Sequence, residues 1–362
     1  MMKQQKQHSR RHQQGLTLVE IMIAVALSVI MLTGVIEVFS SSKQTYRLQD
    51  NLARVQENGR FALDYLSRDI RMAGYAGCTT YGTVTNTLNN SADLLYNFTV
   101  GVEGYDDVGT PPSYLSVAGI APLAGTDVVI IRRANDDPVR VTRNNNSAQL
   151  FAEVTGIEAN GCTDSAGNVT DKVSGICQTD ILMVSDCIKS RIFQAGNIQV
   201  TGNNGNQELN ITHPAAGTPG NAVSSWGGAS APVNEQFNED AEIVRIGTYA
   251  YYVAPGLSGS PSLFRMADGN AMELVEGVEN LQVRYGEDTD GDRTADIYQD
   301  AGAVTDWSKV VSVRLHLLLR TDEDGLATSP PTYTFNGNSI TAADRRLRRE
   351  FTTTVTLRNR AS

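Results

Sequence analysis

The chain has 362 residues and a formal net charge of −10, with 40 acidic against 30 basic side chains. This length allows one large domain or two small ones in addition to a membrane segment. The acidic balance excludes an overall basic surface of the kind that binds nucleic acid electrostatically, so no nucleic-acid partner is predicted.

The first strong pattern is an apolar run from Leu16 to Phe39 in which only Glu20 and Glu37 are charged. A helix of this length spans roughly 36 Å, enough to cross a hydrocarbon core of roughly 30 Å. The preceding segment carries four basic residues, Lys3, Lys6, Arg10 and Arg11. Such a flank stays cytoplasmic, so the rest of the chain should be exported. Glu20 is unusual because a carboxylate in hydrocarbon costs at least about 2.5 kcal/mol and therefore implies a partner.

Two ordinary explanations of the apolar run are a cleaved signal peptide and a plain single-span anchor. An A-x-A cleavage match exists at residues 24–26, but the apolar run continues well beyond it, and Glu20 would weaken a secretory core. A plain anchor remains an alternative, although it gives no reason for the sequence Gly-Leu-Thr-Leu-Val-Glu at residues 15–20.

That hexapeptide resembles the leader junction of type IV pilins and pseudopilins. The resemblance implies that a prepilin peptidase removes a leader of residues 1–15 by cutting between Gly15 and Leu16. It also implies N-methylation of the new N-terminus at Leu16. Glu20 then corresponds to the glutamate at the fifth mature position, which serves assembly. Residues 16–39 would form the transmembrane and assembly half of a long helix.

Residues 40–77 are predicted to form the second, amphipathic half of the same helix. Apolar residues recur at spacings of three, four and seven, which indicates one buried face. They are Leu48, Leu52, Val55, Ala62, Leu66, Ile70 and Ala73. Gly59 interrupts this pattern and allows a bend or close packing, whereas Gly74 and Gly77 predict the end of the helix.

Residues 78–362 are predicted to form one globular β-rich domain, which makes the overall class α+β. Nine segments are candidate strands, and alternation of apolar and polar residues, which indicates half-buried antiparallel strands, is clearest in the last three. The candidates are Asp127–Arg133, Gln149–Val154, Asp180–Ser185, Arg191–Gln194, Glu242–Val253, Leu263–Met266, Val278–Tyr285, Val310–Arg320 and Glu350–Arg358. Residues 82–118 and 200–238 are rich in Gly, Asn, Ser, Thr and Pro, and are interpreted as long surface loops.

Four segments resemble PilW-type minor pilins in their amino-acid sequence and in their order along the chain. They are RDIRMAGYAGC from residue 68, EGVENLQVRYGEDTDGD from 276, DWSKVVSVRLHLLLRT from 306 and DRRLRREFTTTVTLRNR from 344. The resemblance implies a pilin fold, with the long helix packed on an antiparallel sheet. It further implies a structural role in the complex that primes assembly of a bacterial type IV pilus and forms part of its tip.

The partners implied by this family are other minor pilins, the major pilin, a tip adhesin, the inner-membrane assembly platform and the prepilin peptidase. Before assembly the protein would lie in the inner membrane as a single-pass protein with its domain in the periplasm. After assembly it would lie at the extracellular pilus tip. J-type pseudopilins of type II secretion are related to this family and form the first alternative.

The four cysteines lie beyond the predicted membrane span, where an oxidising environment favours two disulfides. Zinc is a poor alternative because the spacings contain no C-x2–4-C pair. Three pairings are open. We prefer Cys162–Cys177, which closes a local polar loop, with Cys78 linked to Cys187.

One acidic loop is a candidate metal site. Asp288, Asp290, Asp292 and Asp296 occupy positions 1, 3, 5 and 9 of a turn, where their carboxylates could converge on calcium. The loop departs from an EF-hand because Arg293 stands at position 6 and Gln299 at position 12. The alternative is a solvated hairpin turn. No other cofactor is predicted.

Nothing in the sequence predicts catalysis. His8 and His12 lie in the predicted leader, His316 lies in an apolar strand candidate and His213 precedes a proline. Metalloprotease, nucleophile-elbow and phosphate-loop motifs do not occur. The protein is therefore predicted not to be an enzyme, and a membrane-anchored ligand-binding or hydrolytic ectodomain is the remaining alternative.

Overall fold

The computed structural model describes residues 17–75, 83–107, 115, 121–135, 137–164, 166–202, 207–267 and 269–359. The chain forms two compact units, Met1–Ala53 and Arg54–Ser362. The first unit consists, within its described residues, of helix. The second contains the end of that helix and all of the described strands.

Helix α1 runs from Leu18 to Arg71. Its apolar residues between Leu18 and Phe39 are all exposed, which is the pattern of a helix that needs a medium or partner outside the chain. The helix is long and apolar enough to cross a membrane. It ends in a turn at residues 72–74, where Gly74 has φ of 71° and supplies the left-handed conformation common after a helix.

The second unit contains 20 strands among its described residues. They are β1 Thr83–Asn86, β2 Val102–Tyr105, β3 Val128–Ala134, β4 Val139–Arg140, β5 Gln149–Glu153, β6 Ile157–Thr163, β7 Val169–Val173, β8 Ile181–Ser185, β9 Lys189–Gln194, β10 Ile198–Thr201, β11 Glu208–Thr212, β12 Glu242–Pro255, β13 Pro261–Ala267, β14 Asn270–Glu276, β15 Val278–Glu287, β16 Ile297–Gln299, β17 Val310–Arg320, β18 Thr332–Phe335, β19 Asn338–Thr341 and β20 Arg348–Thr356.

The strands form five sheets. The largest has nine strands with the path β1-β9-β8-β12-β13-β14, in which β3 and β4 also pair with β12 and β2 pairs with β3. A four-stranded sheet has the order β16-β15-β17-β20, a three-stranded sheet has the order β10-β11-β5, and β6–β7 and β18–β19 are two-stranded. Among the described residues, every strand pair is antiparallel except β1 with β9. The predicted α+β class, with a long apolar helix and a mostly antiparallel domain, is therefore confirmed.

All nine strand candidates coincide with strands, but the two predicted long loops are not free of regular structure. Strands β1 and β2 lie within residues 82–118, and β11 lies within residues 200–238. In β11, Leu209 and Ile211 are buried between polar neighbours, so the segment is a strand in spite of its low apolar content.

The described residues of the second unit form four hydrophobic clusters, of which the two largest are called the first and the second core. The first core packs the end of α1 against the four-stranded sheet and β12–β13, and its helical members are Val55, Ala62, Leu66, Ile70 and Ala73. The second core lies around Phe193, Trp226 and Phe237 and joins the three-stranded sheet to β8 and β9. A fully buried apolar side chain of this size contributes about 1.5–3 kcal/mol, so both cores are major sources of stability.

Candidate functional site

The start of helix α1 is closed by Thr17 and Glu20. The backbone N–H and the hydroxyl of Thr17 each donate a hydrogen bond of 2.9 Å to Oε2 of Glu20. In return the backbone N–H of Glu20 donates to the Thr17 hydroxyl oxygen at 3.3 Å. This reciprocal arrangement is a capping box, whose T-x-x-E pattern is visible in the sequence. Glu20 therefore has hydrogen-bond partners within its own helix, and its neighbours Gly15 and Leu16 lie outside the described residues.

At the other end of the helix, Asp69 fastens α1 to the sheet of the second unit. Its carboxylate accepts a hydrogen bond from the Tyr251 hydroxyl and one of 3.0 Å from Nη2 of Arg133, and it lies 4.0 Å from Nε of Arg265. Arg265 also donates to the Tyr65 hydroxyl at 3.2 Å. Burial and the nearby Asp69 carboxylate raise the pKa of Tyr251, so its hydroxyl keeps its proton and remains a donor.

Gly59 brings the helix close to strand β20. A methyl group added at Gly59 would lie 2.5 Å from Cε2 of Phe351, too close for any side chain larger than hydrogen unless Phe351 moves. The glycine is therefore explained by close packing, one of the two roles that the sequence left open. Gly34, in the first half of the helix, has no atom within 4 Å of the same added methyl group.

The acidic loop between β15 and β16 brings together three of its four predicted ligands. One carboxylate oxygen from each of Asp288, Asp290 and Asp296 lies within 4.8 Å of the others. Asp292 is not part of this group, and its Oδ1 accepts a hydrogen bond of 2.7 Å from the Thr294 N–H. Three carboxylate oxygens can supply part of the six to eight oxygen ligands that calcium takes.

The same carboxylates already accept backbone hydrogen bonds. Asp288 accepts from the N–H groups of Gly291 at 2.6 Å and Arg293 at 2.9 Å, and these bonds lower its pKa. The Thr289 hydroxyl and N–H bind Asp296 and lower its pKa as well. Position 6 of the loop, Arg293, has φ of 68°, the left-handed conformation that glycine provides in EF-hands. Asp288 and Asp296 therefore favour their charged forms, and their hydrogen bonds hold the loop in this conformation.

The cysteine predictions are tested in part. Cys162 and Cys177 form a disulfide with a Cα–Cα distance of 5.7 Å, which confirms the preferred local pair. Cys187 is not a free thiol. Its predicted partner, Cys78, lies outside the described residues.

The two histidines among the described residues, His213 and His316, make packing and hydrogen-bond contacts within the fold. His213 is buried, stacks on Trp226 with ring centroids 4.2 Å apart, and donates through Nδ1 to the Ser224 carbonyl at 3.0 Å. Burial is the main cause that lowers the pKa of His213 to about 4, and the positive charge of Arg191 is a second cause in the same direction. His316 contacts Glu350 at 2.8 Å on the polar face of the four-stranded sheet.

Comparisons with known proteins give two family matches. Residues 250–359 match the family described as Type IV Pilus-assembly protein W, and residues 10–36 match the Prokaryotic N-terminal methylation motif. No curated protein matches the sequence. Among solved structures, the Type IV-like pilin TTHA1219 from Thermus thermophilus covers 87% of this chain and 98% of its own at 12% identity, with a TM-score of 0.30. A TM-score this low carries no argument about function.

An apolar helix that begins at a methylation motif and continues into an antiparallel β domain defines the class of type IV pilus-related pilins. Such a helix fits membrane anchoring, and the class indicates a structural role and contact with other pilus components. Within this class, residues 250–359 match the PilW family, and this match confirms the resemblance to PilW-type minor pilins found in the sequence.

Proposed function

We propose that this protein primes type IV pilus assembly and becomes part of the complex at the pilus tip. The observation that carries the proposal is the combination of two matches on one chain. A methylation motif covers residues 10–36, directly at the start of an exposed apolar helix, and the PilW match covers residues 250–359.

In the proposed mechanism the prepilin peptidase cuts between Gly15 and Leu16, and Leu16 is N-methylated. The helix then waits in the inner membrane while the β domain stays in the periplasm. Packing of the exposed apolar side chains against helices of other minor pilins and the major pilin withdraws α1 from the membrane into the fibre. The assembly platform and a tip adhesin are the further partners of this step, and the finished complex lies outside the cell.

Glu20 is proposed to select the contact between subunits. Cleavage creates an amine at Leu16, and an ion pair between one subunit's amine and the Glu20 of a neighbour would offset part of the desolvation cost of both groups. Small residues allow helices to approach closely in lipid. They occur in this half of the helix at Ala24, Ala26, Ser28 and Gly34.

Two substitutions separate processing from assembly. Gly15→Glu should leave an uncut precursor in the membrane. Glu20→Ala should still be inserted and cut, but should assemble poorly and reduce the number of surface pili. Glu37→Ala is the matched control, because Glu37 is the other carboxylate of the exposed half of the helix. It should be cut and assembled normally.

The measurements are the mass of the mature protein and counts of surface fibres in cells that carry no other copy of the gene. Normal piliation by the uncleaved Gly15→Glu protein would refute the pilin mechanism. Normal cleavage of the wild-type chain, with the protein in periplasmic secretion complexes and missing from sheared pili, would instead assign it to a type II secretion pseudopilus.

A further inference from the structure

The two-stranded sheet of β6 and β7 is called the β6–β7 arm. A groove of ≈ 360 Å³ lies between this arm and strand β10, far in sequence from the helix and from the acidic loop. Strand β10 is the last strand of the three-stranded sheet, and β7 belongs to a two-stranded sheet. Within the part of the chain that the structure describes, no strand pairs with either of them on the groove side. An open strand edge presents unpaired N–H and C=O groups, so the edge of β10 can pair with an added strand. On β7 a bridge between Val173 and Ile176 leaves only part of the edge open.

The register of β10 shows which backbone groups its open edge presents. The Thr212 N–H donates to the Asn197 carbonyl at 3.0 Å, and Gln199 lies opposite Asn210 in the same ladder. Backbone groups in an antiparallel strand point alternately to the two sides. The odd-numbered residues therefore face β11, and the N–H and C=O groups of Ile198 and Val200 face away from it.

Strand β7 forms the opposite wall in the same manner. The Ser174 N–H, just after the strand, donates to the Gly156 carbonyl at 2.8 Å, so even-numbered residues face β6. Val173 and Asp171 therefore point outward. Val173 donates to the Ile176 carbonyl at 3.1 Å, which leaves Asp171 to present its backbone groups to the groove.

The side chains of the groove define what would fit beside this backbone. Ile157, Val173, Ile198 and Val200 line it, and Asp171 supplies the one charged side chain among the lining residues that the structure describes. Oδ1 of Asp171 accepts from the Asn160 N–H at 3.1 Å. At one end Gln178 donates to Oδ1 of Asn197 at 3.3 Å and joins the two walls.

The Cys162–Cys177 disulfide stabilises this arrangement. Two-stranded sheets are marginally stable alone, and five residues of β6 in succession, from Ile157 to Gly161, are exposed. The disulfide connects β6 to the residue before Gln178, and Val173 at the end of β7 is buried in the second core, so both hold the arm beside β10.

We propose that this groove binds one extended strand of another polypeptide, with β-branched apolar side chains and a basic side chain beside Asp171. Strand addition of this kind takes affinity from main-chain hydrogen bonds and specificity from alternate side chains. The inference does not depend on the proposed function, since the groove would bind such a strand in the purified protein without any pilus.

The test uses the full chain in detergent micelles and a fluorescein-labelled hexapeptide, Thr-Val-Thr-Val-Arg-Val, in a polarisation titration. Binding should be saturable. Every second backbone N–H of the bound hexapeptide would face the protein strand. Methylation of one such nitrogen removes one hydrogen bond to the protein and should weaken binding roughly two- to tenfold. This comparison leaves the protein unchanged, so it is independent of any effect on folding.

Two protein variants locate the site. Val200→Pro removes an N–H that faces the groove and should abolish saturable binding, whereas Thr354→Pro on the edge strand β20 should not. Asp171→Asn should remove the preference for the arginine peptide over one with glutamine in its place. Lack of saturable binding, equal binding of the methylated peptides, or full binding by Val200→Pro would each overturn the proposal.

Discussion

The two halves of helix α1 differ in what their apolar residues contact. Between Leu18 and Phe39 every apolar side chain is exposed, whereas Val55, Ala62, Leu66 and Ile70 are buried in the first core. The first half therefore depends on a membrane or on other subunits, and the second half depends on the fold of its own domain. Substitutions of buried residues in the second half should change the free energy of unfolding, while those in the first should change insertion and assembly only.

The largest expected effect is at Asp69, where the second half of the helix is fastened. Asp69→Ala removes the partner of two half-buried arginines and of the buried Tyr251 hydroxyl. Breaking a buried charge pair on one side costs about 3–5 kcal/mol. Asp64→Ala is the matched control because Asp64 is exposed on the same helix, and it should change stability by less than about 0.5 kcal/mol.

Denaturant unfolding of the full chain, followed by the fluorescence of Trp226 and Trp307, measures both variants. The contacts of Asp69 with Tyr251, Arg133 and Arg265 are called the Asp69 clamp. Equal midpoints for Asp69→Ala and Asp64→Ala would show that this clamp does not hold the helix on the domain.

Acid should destabilise the β domain through His213 and leave the exposed helix intact. Because the pKa of His213 falls from 6.5 to about 4 in the folded protein, its contribution is complete above pH 6.5. It decreases as the pH falls towards 4, by about 3 kcal/mol in total. The physical reason is that Nε2 has no hydrogen-bond partner within the described chain, so the protonated ring would bury an unpaired N–H close to Arg191.

His213→Phe keeps a ring against Trp226 and should remove this part of the pH dependence. His316→Gln should retain it, because His316 lies on the other sheet. Melting temperatures measured between pH 7 and pH 4 decide the matter, and identical pH profiles for wild type and His213→Phe would contradict the prediction.

Calcium offers a second way to stabilise the domain without changing the exposed helix. If Asp288, Asp290 and Asp296 hold calcium, saturation at 100 times the dissociation constant adds about 2.7 kcal/mol. The melting temperature should rise with calcium and fall with chelator. Asp290→Ala should abolish this response, whereas Asp292→Asn should keep it because Asp292 lies outside the group of three. A melting curve that millimolar calcium leaves unchanged would favour the solvated turn.

The two glycines of the helix give the smallest and most direct contrast. Gly59→Ala should destabilise the domain by about 1–3 kcal/mol, because the added methyl group meets Phe351. Gly34→Ala meets nothing and should favour the helix by about 1 kcal/mol without affecting domain unfolding. Denaturation midpoints of the two variants, measured side by side, would refute the contrast if they moved together.

Local patterns in the sequence were enough to predict the elements that have one buried face. Strand β17 has the bounds that the sequence predicted, Val310–Arg320, because its residues in the first core recur at every second position from Val313 to Leu319. Strand β6 was missed because its residues from Ile157 to Gly161 are exposed and show no periodicity. The β6–β7 arm is held by the Cys162–Cys177 disulfide. The cysteine spacing predicted this disulfide but gave no sign that the residues between the two cysteines form strands.

The candidate sites show the same limit. The capping box is readable from Thr17 and Glu20, but the sequence alone led us to expect the partner of this carboxylate only in another subunit. The Asp69 clamp joins residues separated by 64 and 182 positions, which no local pattern contains. Likewise, the groove beside β10 depends on which edges of two separate sheets come together.

The position of the capping box has a consequence for the mature chain that cleavage would create. With Leu16 as the first residue, its ammonium group would lie one residue before Thr17, beside the positive end of the helix macrodipole, which disfavours a cation there. The Glu20 carboxylate, bonded to the Thr17 N–H and hydroxyl, places a compensating negative charge in the same helical turn. N-methylation leaves the positive charge of the amine in place, so this compensation would be needed in the isolated subunit before any neighbour is present.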